Sequence, residues 1–382
     1  MDDRTAHQRP ELVTARGTRG GHLRAATLPL LLVAFAPHFA HAQDLAARLD
    51  AYLRERPGPA FSGVVLVARG DSVLFERAYG WADADLEIPT DPRMRFNIGS
   101  VTKPITATAV LRLGERGALG LEQPLCAHLR QCPSAWRPVV LGQLLSHTSG
   151  IPDLFEDLPA APADSLLAVV EATVARHLAD TLRFAPGERY AYSNFNYILL
   201  GYVLEVAGGA PWLEVLRREV FDPAGMADTE YDDVWRVLPG RVRGYELAGD
   251  ELRNVRYHDH AAYTAGGLLS TTRDLLRFDR ALSTGRLVGD STFRRMVTPG
   301  LGNYALGWQI IPVFGHTLRN HTGGVTGFAS HLAHYDDGTT SILLSNVENE
   351  PAKATACDLA AILFELPPSQ PGSGGSPCRP AR

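Results

Sequence analysis

After an apolar N-terminal stretch, the chain shows strand patterns near both of its ends and helical patterns between them. Residues 45–55 repeat apolar positions at helical spacing, and residues 62–68 and 72–79 read as two strands joined through Gly70 and Asp71. These patterns predict a helix followed by a β-hairpin.

A second helical pattern, at residues 105–113, is apolar on most faces and ends near Gly117. It predicts a buried helix with Ser100 at its amino end, and Pro104 is tolerated in the first turn of such a helix. Residues 121–280 are predicted to be mostly loops and helices without a strand meander, and the clearest helical segments are 197–206, 211–220 and 272–282.

Strand patterns return at residues 306–312, in part of 322–332 and at 341–347, and a helix is predicted at 351–364. The simplest architecture is α/β in the α+β sense: an antiparallel sheet built from both chain ends, flanked by helices, with a mostly helical lobe inserted. The sheet lobe is expected at about 43–120 and 285–366, the helical lobe at about 121–284 and a flexible tail at 367–382. A cleft is expected between the lobes.

Only two of the 37 basic residues are lysines, and one of them, Lys103, follows Ser100 by three positions. A partly buried lysine amine can lose its proton, whereas arginine stays charged, so only lysine can activate a hydroxyl. A helix places the two side chains on one face, and its dipole favours an oxyanion at its amino end. Ser100 and Lys103 are therefore the candidate nucleophile and base. The alternative is a capping serine followed by an exposed lysine.

A second cluster, Tyr190-Ala-Tyr192-Ser-Asn194, lies at a loop-to-helix junction. As catalytic groups, Tyr192 would carry the proton from nucleophile to leaving group, and Asn194 would position the lysine and the amide or ester of the substrate. As structural groups, the tyrosines would pack and Asn194 would cap the following helix.

A third cluster, His321-Thr322-Gly323-Gly324, enters a late strand, where glycines let a substrate approach the backbone closely. The similar segment His147-Thr-Ser-Gly150 is interpreted as a structural loop.

These three elements, in this order, resemble the motifs of the serine β-lactamase and penicillin-binding protein family. The resemblance is to its class C-like branch, which includes D-alanyl-D-alanine carboxypeptidases, esterases and D-amino peptidases. Ser100-Val-Thr-Lys103 is similar to the first motif, Tyr192-Ser-Asn194 to the Tyr-x-Asn motif, and His321-Thr-Gly323 to the Lys/His-Thr-Gly motif. The resemblance covers most of the chain beyond residue 42 and implies a β-lactamase/transpeptidase-like fold over 43–366.

The resemblance implies a serine hydrolase that forms an acyl-enzyme on Ser100 and cleaves ester or amide bonds, as a carboxypeptidase or an esterase does. Gly324 would supply the second oxyanion N–H, and Asn194, His321, Thr322 and Gly323 would help bind the substrate. Tyr192 with Lys103 would activate the water of the second step. A true β-lactamase and a non-turnover penicillin-binding sensor are the alternatives.

One departure from the family pattern concerns the substrate. True class C lactamases carry lysine at the position of His321, where it helps hold the substrate carboxylate. Histidine is mostly neutral at pH 7, so a cation for an anionic substrate would have to come from elsewhere, and Arg319 is the candidate.

Cofactor and metal chemistry are not indicated. The sequence contains no glycine-rich phosphate loop of the Walker or dinucleotide type, so no cofactor is expected. A metal-hydrolase alternative would rest on His258 with His260 and on His331 with His334, but two histidines make an incomplete site, and no metal is expected.

Residues 28–39 are apolar, with arginines before them and Ala40-His41-Ala42 after them, which is the layout of a signal peptide at 1–42 cleaved after Ala42. A periplasmic or secreted protein without a stable membrane span is predicted. An uncleaved anchor and a start downstream of Met1 are the alternatives. The net charge of −5 does not favour nucleic acid as a partner, so a small-molecule or peptide substrate with an ester, amide or lactam bond is expected, and the oligomeric state is left open.

Four cysteines in an exported chain allow three pairings and favour disulfides over a metal site. Cys126 with Cys132 is the predicted pair, and their six-residue spacing matches no common zinc pattern. Cys357 with Cys378 would then tie the tail to the last helix.

Overall fold

The structure, a computed structural model, describes residues 36–55, 61–158, 162–249, 251–255 and 262–366. The predicted signal at 1–42 lies largely outside these residues. The predicted tail at 367–382, with Cys378, and the pair His258 and His260 lie wholly outside them.

Helices cover both ends and most of the middle of the described chain. They are α1 (Ala36–Glu55), α2 (Thr102–Glu115), α3 (Leu141–Leu145), α4 (Leu166–Arg176), α5 (Asn194–Gly208), α6 (Trp212–Leu216), α7 (Asp222–Ala224), α8 (Tyr263–Gly266), α9 (Thr272–Ser283), α10 (Asp290–Val297) and α11 (Ala352–Leu363).

Strands are concentrated near the two ends. They are β1 (Gly63–Arg69), β2 (Ser72–Tyr79), β3 (Trp81–Asp83), β4 (Ile88–Pro89), β5 (Phe96–Asn97), β6 (Glu230–Tyr231), β7 (Tyr245–Ala248), β8 (Glu251–Asn254), β9 (Leu268–Ser270), β10 (Gln309–Val313), β11 (His316–Val325), β12 (Phe328–Tyr335) and β13 (Thr339–Ser345).

The main sheet has six strands in the order β10-β11-β12-β13-β1-β2, and every neighbouring pair is antiparallel. β1 pairs with β13 from Gly63 opposite Ser345 to Arg69 opposite Thr339, so strands from the two ends of the chain meet inside the sheet. The predicted antiparallel sheet flanked by helices is confirmed.

Both faces of this sheet pack against apolar residues. Successive strand residues point to opposite faces, so alternate residues of one strand belong to different cores. Val65 of β1 packs with Leu49 of α1 and Leu359 of α11 on one side. Val64 and Leu66 belong to the larger core on the other side, which also contains the apolar residues of α2 and α5. The candidate nucleophile therefore lies at the end of a helix held inside the main core.

The helical middle contains short strands that the patterns did not predict. β6 and β9 form a three-stranded sheet with β5, which lies before α2, and β7 and β8 form a hairpin. Glu251–Asn254 is exposed throughout, so it has no alternation of apolar and polar residues to mark it as a strand. The predicted strand at 306–312 is Gln309–Val313, and the region 322–332 contains parts of two strands.

Cys126 and Cys132 form a disulfide with their Cα atoms 5.4 Å apart.

Within the described ranges, no single helix is long and apolar enough to cross a membrane. The segments Asn194–Gly208 and Trp212–Ala224 together have the length and apolar composition of a membrane span, with an 81° bend between them.

Candidate active site

Ser100 lies in a tight turn, Gly99–Val101, immediately before α2. Gly99 has φ +48°, and a Cβ at this position would lie 2.8 Å from the backbone nitrogen of Gly324 on β11, so only glycine fits. The side chain of Asn97 accepts the Gly99 N–H at 2.9 Å. The turn is thus held against the sheet, and the prediction that Ser100 lies at the amino end of a buried helix is confirmed.

Lys103 lies one turn further on and is completely buried. Its Nζ is 3.0 Å from Ser100 Oγ, 2.8 Å from Asn194 Oδ1 and 2.7 Å from the carbonyl oxygen of Ala265. A neutral amine has two hydrogens and one lone pair. When it donates to Asn194 and Ala265, the lone pair is left for the hydroxyl of Ser100, which is the arrangement that a general base needs.

The surroundings of Lys103 lower the pKa of its amine to about 7. Burial is the main cause, and the charge of Asp153 opposes it in part. All three hydrogen-bond partners of the amine are uncharged oxygens. Lys103 can therefore be neutral near pH 7, which arginine could not be.

Tyr192 lies on the opposite side of the nucleophile. Its hydroxyl donates to Ser100 Oγ at 2.9 Å, and burial raises the pKa of this phenol although 39% of the residue surface is exposed. The ring also lies 4.8 Å from Lys103 Nζ. Tyr192 is therefore a neutral proton donor at working pH, and Lys103 is the better base of the two.

Asn194 is the first residue of α5, and its side chain is available to Lys103 because another residue caps the helix. Ser193 Oγ accepts the N–H of Asn196, and the carboxylate of Asp153 accepts the N–H groups of Asn194 and Phe195 at 3.0 and 2.9 Å. The alternative in which Asn194 itself is the helix cap is wrong. Ser193 takes that role, and Asp153 adds a negative charge at the positive end of the helix.

The third predicted cluster lies on β11, beside the nucleophile turn. A Cβ at Gly323 would collide with the carbonyl oxygen of Ile98, whereas Gly324 has open space in front of it. Thr322 is half-buried on the same strand. The strand thus brings Gly324 next to Ser100, and its role as second oxyanion donor stays a prediction.

His321 is buried, and both of its ring nitrogens have partners inside the protein. Nδ1 lies 2.6 Å from the carbonyl oxygen of Thr322, so it carries the proton, and Nε2 lies 2.9 Å from the hydroxyl of Tyr304, which must donate to it. Burial, followed by the nearby Lys103, lowers the pKa of His321 to about 3. The ring is neutral and has no free N–H for a substrate.

Arg319 does not replace the missing cation. The residue is 5% exposed, and its guanidinium donates to Asp279 at 2.6 Å and to Ser283 at 2.9 Å. The expectation that Arg319 could serve an anionic substrate is wrong, because a buried aspartate already neutralises it.

Several residues of the site were not found from the sequence: the carbonyl of Ala265, Asp153, Tyr304 and His147. The last belongs to the segment interpreted as a structural loop, yet its ring centre lies 4.3 Å from that of Tyr192. Its likeness to His321-Thr-Gly323 was visible, but no local pattern indicated which aromatic ring it would touch.

The metal alternative named two histidine pairs, and one of them, His331 with His334, lies within the described residues. His334 binds Asp279 through Nδ1 at 2.9 Å, and His331 is buried three positions earlier on β12, where odd spacing puts it on the other face of the sheet. Over the described ranges, no group of three or more histidine, cysteine or acidic side chains is arranged to hold a metal ion.

The sequence pattern of the Beta-lactamase family matches residues 49–364. This chain belongs to that family, whose members are serine hydrolases. The predicted family, fold class and enzyme class are confirmed.

Penicillin-binding protein 4* of Bacillus subtilis is 30% identical over 334 residues, which cover 80% of this chain and 73% of the relative. A D-aminopeptidase of Gluconobacter oxydans is 26% identical over 339 residues, which cover 85% of this chain and 63% of the relative. The solved structure of a D-amino acid amidase from Ochrobactrum anthropi SV3 has the same fold, with a TM-score of 0.69 and 23% identity over 84% of this chain and 98% of that one.

Proposed function

We propose that this protein cleaves esters or amides that carry no free carboxylate next to the scissile bond, through an acyl-enzyme on Ser100. One observation carries the choice of substrate: His321 is neutral and has both ring nitrogens engaged by Thr322 and Tyr304. Carboxypeptidase and penicillin substrates have a carboxylate beside the scissile bond, and leaving that charge unpaired among buried groups is costly.

Acylation begins with proton transfer from Ser100 Oγ to Lys103 Nζ, 3.0 Å away. Oγ then bonds to the substrate carbonyl carbon, and the electron pair of the C=O bond moves to its oxygen, next to the N–H groups of Ser100 and Gly324. When the tetrahedral intermediate collapses, the bond to the leaving group breaks. Tyr192 donates a proton to the departing nitrogen or oxygen and is reprotonated by the proton held on Lys103.

Deacylation repeats these steps with water. Tyr192 orients the water and Lys103 takes a proton from it, the oxygen of the water attacks the acyl carbon, and Ser100 Oγ recovers the proton held on Lys103 as it leaves. Acid, base and nucleophile are all supplied by the chain.

Two relatives support an amide substrate. The D-aminopeptidase and the D-amino acid amidase are named for reactions at amide bonds, and an amino acid amide has no carboxylate. A penicillin-binding sensor and a true β-lactamase are the other two candidates, favoured by the penicillin-binding relative.

The test uses one acyl-D-alanyl-D-alanine peptide in two forms, with a free C-terminal carboxylate and with a methylamide cap. We expect kcat/KM to be about tenfold or more higher for the capped peptide, because only the free acid brings an uncompensated charge into the site. Ester turnover is measured with p-nitrophenyl acetate. Ser100→Ala should abolish all turnover, because no other nucleophile lies at this position.

Faster cleavage of the free acid would overturn the substrate proposal in favour of a carboxypeptidase. Intact-mass spectrometry after exposure to a fluorescent penicillin separates the other two candidates. A lasting adduct on Ser100 without turnover would indicate a sensor, and rapid loss of the lactam would indicate a β-lactamase.

We also propose that the protein is exported. The apolar stretch at residues 28–39 and the disulfide between Cys126 and Cys132 support this proposal. N-terminal sequencing of the protein from the periplasm or the medium should start at Gln43, and recovery of the uncleaved chain from the cytoplasm alone would contradict it.

A further inference from the structure

His147 lies behind the catalytic tyrosine and has three unfavourable features. It is completely buried, its φ is +55°, which few residues other than glycine adopt, and its Nε2 has no hydrogen-bond partner among the described residues. Strained and unsatisfied groups of this kind persist where the surrounding structure holds them, and they cluster at functional sites.

Four tyrosines surround the His147 ring. The ring centre lies 4.3 Å from that of Tyr192, 4.7 Å from Tyr304, 5.1 Å from Tyr197 and 6.0 Å from Tyr190. The nearest of the four is the ring whose hydroxyl donates to Ser100 Oγ. A shift of His147 would therefore move the phenol of Tyr192 directly.

A hydrogen bond links His147 to the backbone of the same segment. Its Nδ1 lies 3.2 Å from the N–H of Ser193, so Nδ1 is the acceptor and the proton of the neutral ring is on Nε2. Ser193 stands between Tyr192 and Asn194, the two residues that contact Ser100 and Lys103. One histidine thus holds both the ring and the main chain of this segment.

We propose that His147 is a positioning residue, which holds the Tyr192 hydroxyl against Ser100 by ring contact and by accepting the Ser193 N–H. The proposal rests on the proposed acyl-enzyme on Ser100. This role replaces the interpretation in which residues 147–150 form only a structural loop.

The charge state of His147 agrees with this role. The groups that face it are Lys103, His321 and the four tyrosines. Burial, and then Lys103 and His321, hold the pKa of His147 well below its usual value. Protonation would also place a donor opposite the Ser193 N–H. His147 therefore stays neutral while Lys103 titrates, and the proton that limits activity near pH 7 belongs to the lysine.

The experiment compares His147→Asn and His147→Phe, alone and together with Tyr192→Phe. Asparagine tolerates positive φ and can accept the Ser193 N–H but lacks the ring, whereas phenylalanine keeps a ring but lacks the acceptor. We expect kcat for the capped peptide to fall about 10-fold to 100-fold in each single variant, with KM changed less than about threefold, because a displaced catalytic group loses rate more than binding. In the Tyr192→Phe background, neither change should lower kcat further.

His128→Asn is the matched control, because His128, in the loop closed by the Cys126–Cys132 disulfide, also has a buried ring nitrogen without a hydrogen-bond partner among the described residues. It should lower the melting temperature without changing kcat. Equal losses from His147→Asn with and without the Tyr192 hydroxyl would overturn the proposal, because they would indicate general destabilisation. Loss of the acid limb near pH 7 in His147→Asn would also overturn it, because His147 would then exchange the proton itself.

Failure of the proposed function gives a different result. If the wild-type protein turns over no ester or amide, or Ser100→Ala keeps the activity, the substrate or nucleophile assignment is wrong. The rate of penicillin adduct formation on Ser100, followed by mass spectrometry, then tests His147 alone, since opening the lactam also needs a proton for its nitrogen. An unchanged rate in both His147 variants would contradict the positioning role.

Discussion

Two buried basic residues, Lys103 on α2 and Arg319 on β11, differ in the groups that surround their charged ends. Lys103 is bound only by uncharged oxygens, and burial lowers its pKa to about 7. Arg319 is bound by the buried carboxylate of Asp279, and its guanidinium also lies over the rings of Phe293 and Trp308 at 5.2 and 5.0 Å. The first can titrate and react, and the second is held as a permanent ion pair.

The difference is the position of the negative charge. Asp279 also accepts from Thr340 and binds His334, so that its pKa is lowered although burial alone would raise it. In the catalytic cluster the nearest influential carboxylate, Asp153, binds the backbone of α5 instead of the amine. A base stays reactive when its countercharge acts from a distance, and it becomes structural when the countercharge is in contact.

The largest effect is expected from Lys103→Arg. Arginine keeps the charge but cannot act as the base, so kcat should fall by about a thousandfold or more. Steady-state ester hydrolysis measures it. The control is Lys353→Arg. Lys353, the other lysine of the chain, is exposed on α11, so this change should have no effect on kcat. Retained activity in Lys103→Arg would contradict the mechanism.

Asp279→Asn should act on stability instead. It leaves Arg319 buried without a countercharge, and the free energy of unfolding should fall by about 3–5 kcal/mol. Urea denaturation measures this, and Asp336→Asn, which breaks the partly exposed pair with His316, should cost at most about 1 kcal/mol. The kcat of the folded fraction should not change.

The same variant should change the pH dependence of stability. Because the folded-state pKa of Asp279 is lowered, its contribution is complete above its unfolded-state pKa and is lost as pH falls below that value. Asp279→Asn should therefore remove part of the acid sensitivity of the wild type. An unchanged slope of stability between pH 5 and 3 would show that the ion pair is not the source.

The smallest effect is expected from Asp153→Asn. Asp153 raises the pKa of Lys103, so its removal should lower that pKa, and activity should persist to lower pH because the neutral amine is the active form. The acid limb of kcat/KM should move down from about pH 7. Asp157→Asn, at an exposed partner of His177, is the control. A shift to higher pH would contradict the assignment of Lys103 as the base.

Much of the fold and half of the site followed from short sequence patterns. Ser100 and Lys103 are three residues apart on one helix, and that spacing alone brings their side chains together. The hairpin β1–β2 and the late strands could be predicted because their residues alternate between apolar and polar or are continuously apolar. The exposed strand β8 could not be predicted, because none of its residues is buried and its sequence therefore has no alternation of apolar and polar residues.

The remaining site residues are distant in sequence and could not be found in this way. Ala265 offers a backbone carbonyl, which has no sequence signature, to a lysine 162 positions away. Tyr304 and His147 contact the site through aromatic rings, which any core could contain. The candidate cation Arg319 was wrong because its partner Asp279 is 40 positions away on α9.

By itself, the sequence determined the class of the protein, because the candidate nucleophile, base and proton donor lie in short motifs whose residue types have few chemical uses. Only the tertiary structure decided which of these groups carry charge. The pKa of Lys103 and of His321 depends on burial and on neighbours brought from other elements, and burial is a property of the packed chain. The proposed substrate preference rests on these charges, so it too depends on packing.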